Sequence, residues 1–291
     1  MSNEKSKIAF IVNPISGKGK ALHMVPLIEK AFGFSHDLRI NITKGVGDGS
    51  VMAGQAIKEG FQIVIAVGGD GTVNEVGTAL VGTDAILGII PVGSGNGLAR
   101  HLKIPLNPSK AIEVLKAFHV TRIDTGYMND RVFLNAAGVG LDAEVSRIFS
   151  TSATRGWMRY VKIVMRLSIK QREFDARLHL NENSEDVRIT MLTVANSAQY
   201  GNNAKIAPMA DICDGKLDIC TLVNMNFTRS FSFLTALMTG KLVSGTHYVC
   251  VQSDRLEFES TEEWAHVDGE PVKIDGSLIF TSNPRSLNVI C

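Results

Sequence analysis

Apolar residues in the first 120 or so positions come in short blocks separated by glycine-rich turns. Ile8 to Val12, Gln62 to Val67 and Ile86 to Val92 are β-rich apolar runs of strand length. A glycine turn and a segment suited to a helix follow each. After the second run, Val73, Val76 and Leu80 recur at helical spacing. Strand, glycine turn and helix in repetition predict a mostly parallel sheet covered by helices. Ligands of such sheets bind beyond the carboxyl ends of the strands, where all three glycine turns would lie.

The pattern changes near Ile123. Strand-like runs then dominate: Val132 to Ala137, Phe174 to Leu180, Val187 to Val194, Lys216 to Val223, Tyr248 to Glu257 and Val272 to Ile279. They predict a largely antiparallel second domain, a sandwich or partial barrel. Helices are expected from about Thr154 to Gln171 and over Phe227 to Val243, and Ser286 to Ile290 reads as a strand that can return to either domain. The expected division is an α/β domain over 1–124, with 280–291 available to complete it, and a β-rich domain over 125–279.

Composition narrows the function classes. A chain of 291 residues with 45% apolar content is comfortable as two cored domains. Its formal net charge of +1 gives no global attraction for nucleic acid, so a bound anion needs a local site. The four cysteines (Cys213, Cys220, Cys250 and Cys291) form no C-x-x-C pair and are too few for a disulfide scaffold. A reduced, cytoplasmic setting is expected. Met1 to Lys7 is polar, unlike a signal peptide. No apolar run approaches the ~20 residues that span a bilayer. A lipid partner would therefore be met transiently at the membrane surface.

The candidate chemistry sits in the turns. The first, Asn13-Pro14-Ile15-Ser16-Gly17-Lys18-Gly19-Lys20, allows positive φ and close backbone approach, but it is not a Walker A loop. It reads either as an anion-binding turn at a helix start or as an ordinary strand–helix turn. The second, Gly68-Gly69-Asp70-Gly71-Thr72-Val73-Asn74, surrounds one aspartate with three glycines. A polyphosphate can lie against such bare backbone, with Asp70 facing a metal ion or a hydroxyl; the plainer reading is a helix cap. In the third, Pro91-Val92-Gly93-Ser94-Gly95-Asn96-Gly97, Ser94 is a candidate phosphate donor and Asn96 a support or cap.

NPISGKG, GGDGTVNEV and PVGSGNGLAR, in this order and spacing, resemble the diacylglycerol kinase and sphingosine kinase superfamily, above all its compact bacterial lipid kinases. The resemblance implies a three-layer α/β nucleotide-binding domain followed by a C-terminal β-sandwich lipid-substrate domain. It implies ATP and Mg²⁺ as cofactors, a lipid at the membrane surface as substrate and, as in many members, a homodimer. ATP contacts are expected from Asn13, Gly17, Thr43, Gly68, Gly69, Asp70, Gly71, Thr72, Val73, Asn74 and Ser94. The segment Asp211-Ile212-Cys213-Asp214-Gly215-Lys216 matches a Mg²⁺ site built from the Asp214 side chain with the carbonyls of Asp211 and Lys216; alone it reads equally as an Asp-Gly hairpin. Asp268-Gly269-Glu270 matches the DGE motif. In bacterial relatives the acid at Glu270 is treated as the base, whereas in sphingosine kinases the aspartate matching Asp70 is favoured, so Asp70, Glu270 and Asp268 are the catalytic candidates.

Gly138-Val139-Gly140-Leu141-Asp142 also resembles a family segment. Asp142 is expected to touch the lipid headgroup, unless it only caps the helix that follows. Arg155, Arg159, Lys162, Arg166 and Lys170 form one stripe of the helix expected after Thr154, with Arg155 or Arg159 reaching phosphates. The activity implied is transfer of the ATP γ-phosphate to a hydroxyl of diacylglycerol, a sphingoid base or a related lipid. Two rivals are an NAD kinase, which shares the GGDGT core, and a non-catalytic lipid- or nucleotide-binding protein.

Overall fold

The computed structural model describes residues 6–150, 162–167, 172–180 and 183–291. The chain folds as two compact units, one formed by Met1–Ile123 with Arg285–Cys291 and the other by Asp124–Pro284.

In the first unit, β1 (Lys7–Val12), β2 (Asp37–Ile42), β3 (Ile63–Gly68) and β4 (Ile86–Pro91) form a parallel sheet in the order β2-β1-β3-β4. Its helices are α1 (Val25–Phe32), α2 (Asp48–Lys58), α3 (Asp70–Leu80), α4 (Gly97–His101) and α5 (Pro108–Ala117). Side chains alternate across a strand. Ile8, Phe10, Val12, Ile63, Ile65 and Val67 accordingly share one cluster with Ile28 and Phe32 of α1 and Ile112 and Leu115 of α5. The alternate positions Ala9, Ile11, Val64 and Ala66 are fully buried on the opposite face, where α2 and α3 pack. Three layers result. The sheet's last member comes from the end of the chain, where Asn288 and Val289 run parallel to Ile86 and Leu87.

The second unit comprises β5 (Val120–Met128, which begins in the first unit), β6 (Arg131–Phe133), β7 (Ala136–Gly140), α6 (Leu141–Ser150), a helical stretch α7 over 162–167, β8 (Phe174–Leu180), β9 (Asn183–Ile189), β10 (Met191–Ala195) and β11 (Leu217–Leu222). It continues with α8 (Phe227–Thr239), β12 (Tyr248–Ser253), β13 (Arg255–Ser260), β14 (Trp264–Val267), β15 (Glu270–Lys273) and the start of β16 (Leu278–Ile290). One antiparallel sheet has the order β12-β11-β10-β7-β14-β15. The facing strands β9-β8-β13-β16, with β5 and β6 beside β16, close over it. Phe133, Phe174, Leu178, Phe258, Leu278 and Phe280 from the second set meet Val139, Leu192, Val194, Leu217 and Ile219 from the first in a common core. This is a β-sandwich. On the outer side of the first sheet, Leu234 and Leu237 of α8 cover Met191, Cys220, Leu222 and Tyr248.

Four expected strands divide in the structure. Val132 to Ala137 becomes β6 and β7, Val187 to Val194 becomes β9 and β10, Tyr248 to Glu257 becomes β12 and β13, and Val272 to Ile279 becomes β15 and β16. In each, the chain passes from one sheet to the other within one expected strand, and both sheets bury their inner faces in the same core. Elements that were not expected include β2, whose residues are mostly only half-buried, α2, β5 and β14. The helix expected from Thr154 is described only over 162–167; its other residues, including most of the basic stripe, lie outside the described residues.

Gly126 lies opposite Phe133 in the β5–β6 pair, and a Cβ there would meet the Phe133 ring at 2.0 Å. The fully buried ring thus occupies the space over a glycine. Replacing Phe133 with Ala is expected to cost about 3–5 kcal/mol by burial loss and cavity formation. Denaturant unfolding of the second unit's transition measures it.

Candidate active site

The three glycine turns converge in the first unit. Asn13, directly after β1, donates from Nδ2 to Thr72 Oγ1 at 3.1 Å, joining the first turn to the second. Gly17 has φ +62, and a Cβ on it would lie 2.4 Å from the carbonyl oxygen of Val92, so the first turn also rests on the third. Between the second and third, a Cβ on Gly93 would stand 2.5 Å from Gly69 Cα and 2.8 Å from Asn96 Oδ1. Two backbones can approach this closely only without side chains. Gly71, by contrast, is exposed with nothing within 4 Å of a Cβ position, which leaves bare main chain facing outward at the start of α3.

Asp70 fastens this arrangement. Its Oδ2 accepts the Asn96 amide at 2.8 Å and its Oδ1 the Gly97 amide at 2.5 Å. The carboxylate therefore bridges the start of α3 to the start of α4, where unsatisfied amides favour a negative group. A side chain at Gly95 would collide with it, since the Cβ would be 2.4 Å from Oδ2. Thr43, Thr72 and Val73 are buried, so their side chains build the scaffold. Thr43 is held by its amide to the Val12 carbonyl at 2.9 Å. Gly68 is hemmed in by the Thr72 side chain, Asn74 is half-buried and Ser94 is exposed.

The acidic motif of the second unit forms a tight hairpin. Asp268 (φ 47) and Gly269 (φ 84) join β14 to β15 in the doubly left-handed conformation of a two-residue turn. The Asp268 carboxylate accepts the amides of Leu134, Asn135 and Ala136 at 2.7, 2.9 and 3.0 Å. Glu270 is exposed at the start of β15. The expected catalytic pair thus differs in setting: Asp268 is committed to the β6–β7 backbone, which suits anchoring the turn rather than taking up a proton.

The segment 211–216 also folds on itself. Asp211 Oδ1 accepts the Cys213 amide at 3.0 Å, and Asp214 Oδ1 the Lys216 amide at 2.9 Å. Asp214 Oδ2 accepts from Gln252 Nε2 at 3.2 Å, and the Gly215 amide (φ +77) donates to Asp124 Oδ2 at 2.6 Å. Asp211, Asp214 and Lys216 are exposed. Among the described residues no group of three or more His, Cys, Asp or Glu side chains is placed to hold a metal. An oxygen set of one carboxylate and main-chain carbonyls fits a cation that keeps much of its water, which is the habit of Mg²⁺.

Asp142 is enclosed at the start of α6. It is 5% exposed, and its Oδ2 receives Thr193 Oγ1 at 2.7 Å and Tyr200 Oη at 2.8 Å, with His266 Nε2 also at 2.8 Å. The His266 N–H direction is off the line to Oδ2, so that contact is electrostatic more than a linear hydrogen bond. Burial pushes the Asp142 carboxyl up, but the His266 ring and the hydroxyl donors outweigh it and hold the group below the usual carboxylate range. Arg155 and Arg159 lie outside the described residues.

Comparison with known proteins shows the family. The family description "Diacylglycerol kinase catalytic domain" matches residues 7–128. "YegS C-terminal NAD kinase beta sandwich-like domain" matches residues 135–291, more than half of the chain. A Chromohalobacter salexigens protein named "Probable lipid kinase YegS-like" is 30% identical over 94% of this chain and 88% of its own. The chain belongs to the diacylglycerol kinase family. It is a lipid kinase. The Bacillus subtilis diacylglycerol kinase is 28% identical over 89% of this chain and 88% of its own length. A Bacillus anthracis str. Sterne structure described as a diacylglycerol kinase shares the fold, with a TM-score of 0.76 at 22% identity over 98% of this chain and 96% of that one.

Two residues inside the quoted motifs brace the turns, although no role was expected of either. Glu75, one turn into α3, accepts the Gly47 and Gly49 amides at 2.9 and 2.8 Å and so fastens the loop after Thr43. Arg100 Nε donates to the Gly95 carbonyl at 2.9 Å, bracing the third turn.

Two outcomes follow from this geometry. Gly93→Ala is expected to lower kcat/KM for ATP by about 100-fold, the scale of a displacement near 1 Å, while far-ultraviolet circular dichroism stays unchanged. Asp142→Ala is expected to destabilise the kinase by about 3 kcal/mol, because it leaves buried donors without their partner. A depressed carboxyl contributes stability that is present above its unfolded-state value, near pH 4, and lost as pH falls through the folded value. Urea midpoints measured from pH 7 down to pH 3 should therefore fall less steeply in the variant.

Proposed function

We propose that this lipid kinase transfers the γ-phosphoryl group of ATP to a hydroxyl of a diacylglycerol or sphingoid-base type of lipid at the membrane surface. The convergence of three glycine turns on Asp70 is the observation that carries the reading. Bare, rigid amides beside a helix start suit a polyphosphate, and phosphoryl transfer asks mainly for alignment and charge neutralisation. Asn13, Gly17, Gly68, Gly69, Gly71, Asn74 and Ser94 line or brace that cradle, with Thr43, Thr72 and Val73 beneath it.

The roles of the carboxylates differ. Asp70 and Asp268 each accept backbone amides through both oxygens, and they position the third glycine turn and the DGE hairpin respectively. Glu270, exposed at the hairpin, accepts the hydroxyl proton in our reading. Asp214, with the carbonyls of Asp211 and Lys216, would hold Mg²⁺, which would supply charge that keeps the 211–216 segment ordered. No helix among the described residues is long and apolar enough to cross a membrane.

Labelled γ-phosphate offered with a total lipid extract, with NAD⁺ in a parallel reaction, tests the function. Label in a lipid supports it. Label in NADP⁺ would move the activity to the NAD kinases, whose β-sandwich the second family description invokes, and label in neither would leave a binding protein. The role assignment predicts that Glu270→Gln lowers kcat by about 10²–10⁴-fold, the usual contribution of a general base, with KM for ATP little changed. Asp70→Asn should instead act mainly on KM for ATP.

A further inference from the structure

His266 is fully enclosed in β14, 2% exposed, and the chemistry above does not use it. Its two ring nitrogens face different elements. Nδ1 accepts the amide of Gly269, the second residue of the DGE turn, at 3.2 Å. Nε2 stands 2.8 Å from Asp142 Oδ2 at the start of α6. A nitrogen that accepts an amide hydrogen carries no proton of its own, so the neutral ring has its proton on Nε2, the nitrogen beside the carboxylate. Tyr200 packs edge-on to the ring at 6.5 Å between centroids and donates to the same Asp142 oxygen, as does Thr193.

The neighbouring strand is shaped for this contact. Gly138 of β7 lies directly opposite His266, and a Cβ there would come within 2.8 Å of Asp142 Oδ2 and 3.0 Å of His266 Nε2. The turn is therefore held on two sides, by the amides of residues 134–136 on the Asp268 carboxylate and by the imidazole on the Gly269 amide.

We propose that His266, oriented by the buried Asp142, is a positioning residue: by accepting the Gly269 amide it sets the direction in which Glu270 leaves the turn. Its catalytic consequence rests on the role given to Glu270 in the lipid kinase reading. It also gives Asp142 a task in this chain other than touching the headgroup.

Two substitutions separate the halves of the ring. In His266→Asn the amide oxygen takes the place of Nδ1 and can still accept from Gly269. In His266→Gln the side-chain amide takes the place of Nε2, so the Asp142 contact survives and the Gly269 acceptor is lost. Hydrogen exchange at the Gly269 amide, followed by NMR of protein labelled with ¹⁵N-glycine, reads the contact without any activity. Phosphate transfer to the lipid extract reads its consequence. The expected result is that His266→Gln speeds Gly269 exchange and lowers kcat, each by about 10-fold, with KM for ATP unchanged, the loss coming from misplacement of the base. His266→Asn should stay within about 3-fold of the unsubstituted protein in both, since its acceptor is retained. Equal effects of the two variants, or none from His266→Gln, would overturn the inference. So would free exchange of Gly269 in the unsubstituted protein, an outcome that does not depend on how well the variants fold. If the unsubstituted protein phosphorylates no lipid, the functional reading fails while the exchange data still decide the role of His266.

Discussion

The contact between the Asp70 carboxylate and the amides of Asn96 and Gly97 is the constraint on which the first unit's site depends. It ties the turn after β3 to the turn after β4, and it works only because Gly93, Gly95 and Gly69 present no side chains where the backbones meet. Once these two turns are joined, Asn13 and Gly17 can rest the first turn against them. A carboxylate with amides on both oxygens makes two charge-assisted bonds. The motif therefore does its work as architecture first. The outward main chain at Gly71 is what remains for the phosphate that we propose.

In the second unit a similar economy applies to the DGE hairpin. Asp268 is spent on three amides of the β6–β7 connection, and Gly269 is held by His266, which leaves Glu270 as the exposed acid. Both units thus use an acidic residue to hold a turn, and in both the glycine beside it allows the backbone to pass closely or to adopt positive φ.

Much of this was legible in the chain. β1, β3 and β4 appear as the apolar runs that precede each glycine turn, because a parallel strand buried on both faces needs a continuous apolar block. The last strand's pairing with β4 was one of two open choices, and the burial of Val289 and Ile290 goes with the α/β unit. The sandwich's strand boundaries were not legible. At Thr190 the chain changes sheets between Ile189 and Met191 without losing its apolar character, since Ile189 and Leu192 line one core. The clamps at Glu75 and His266 were also hidden. Each joins residues far apart in sequence, or turns on the direction of a ring, and no local spacing encodes that. Asp142 stood out in the sequence as a candidate headgroup contact or helix cap, but its burial was not legible, because its neighbours Thr193, Tyr200 and His266 come from other strands and loops.

The central claim is that the three converged turns form one phosphate cradle. Amide hydrogen exchange with and without a non-hydrolysable ATP analogue, resolved over the first unit, tests it most directly. The account predicts that residues 13–19, 68–74 and 93–97 gain protection together at the same analogue concentration. Protection confined to one turn, or appearing only elsewhere in the unit, would contradict it.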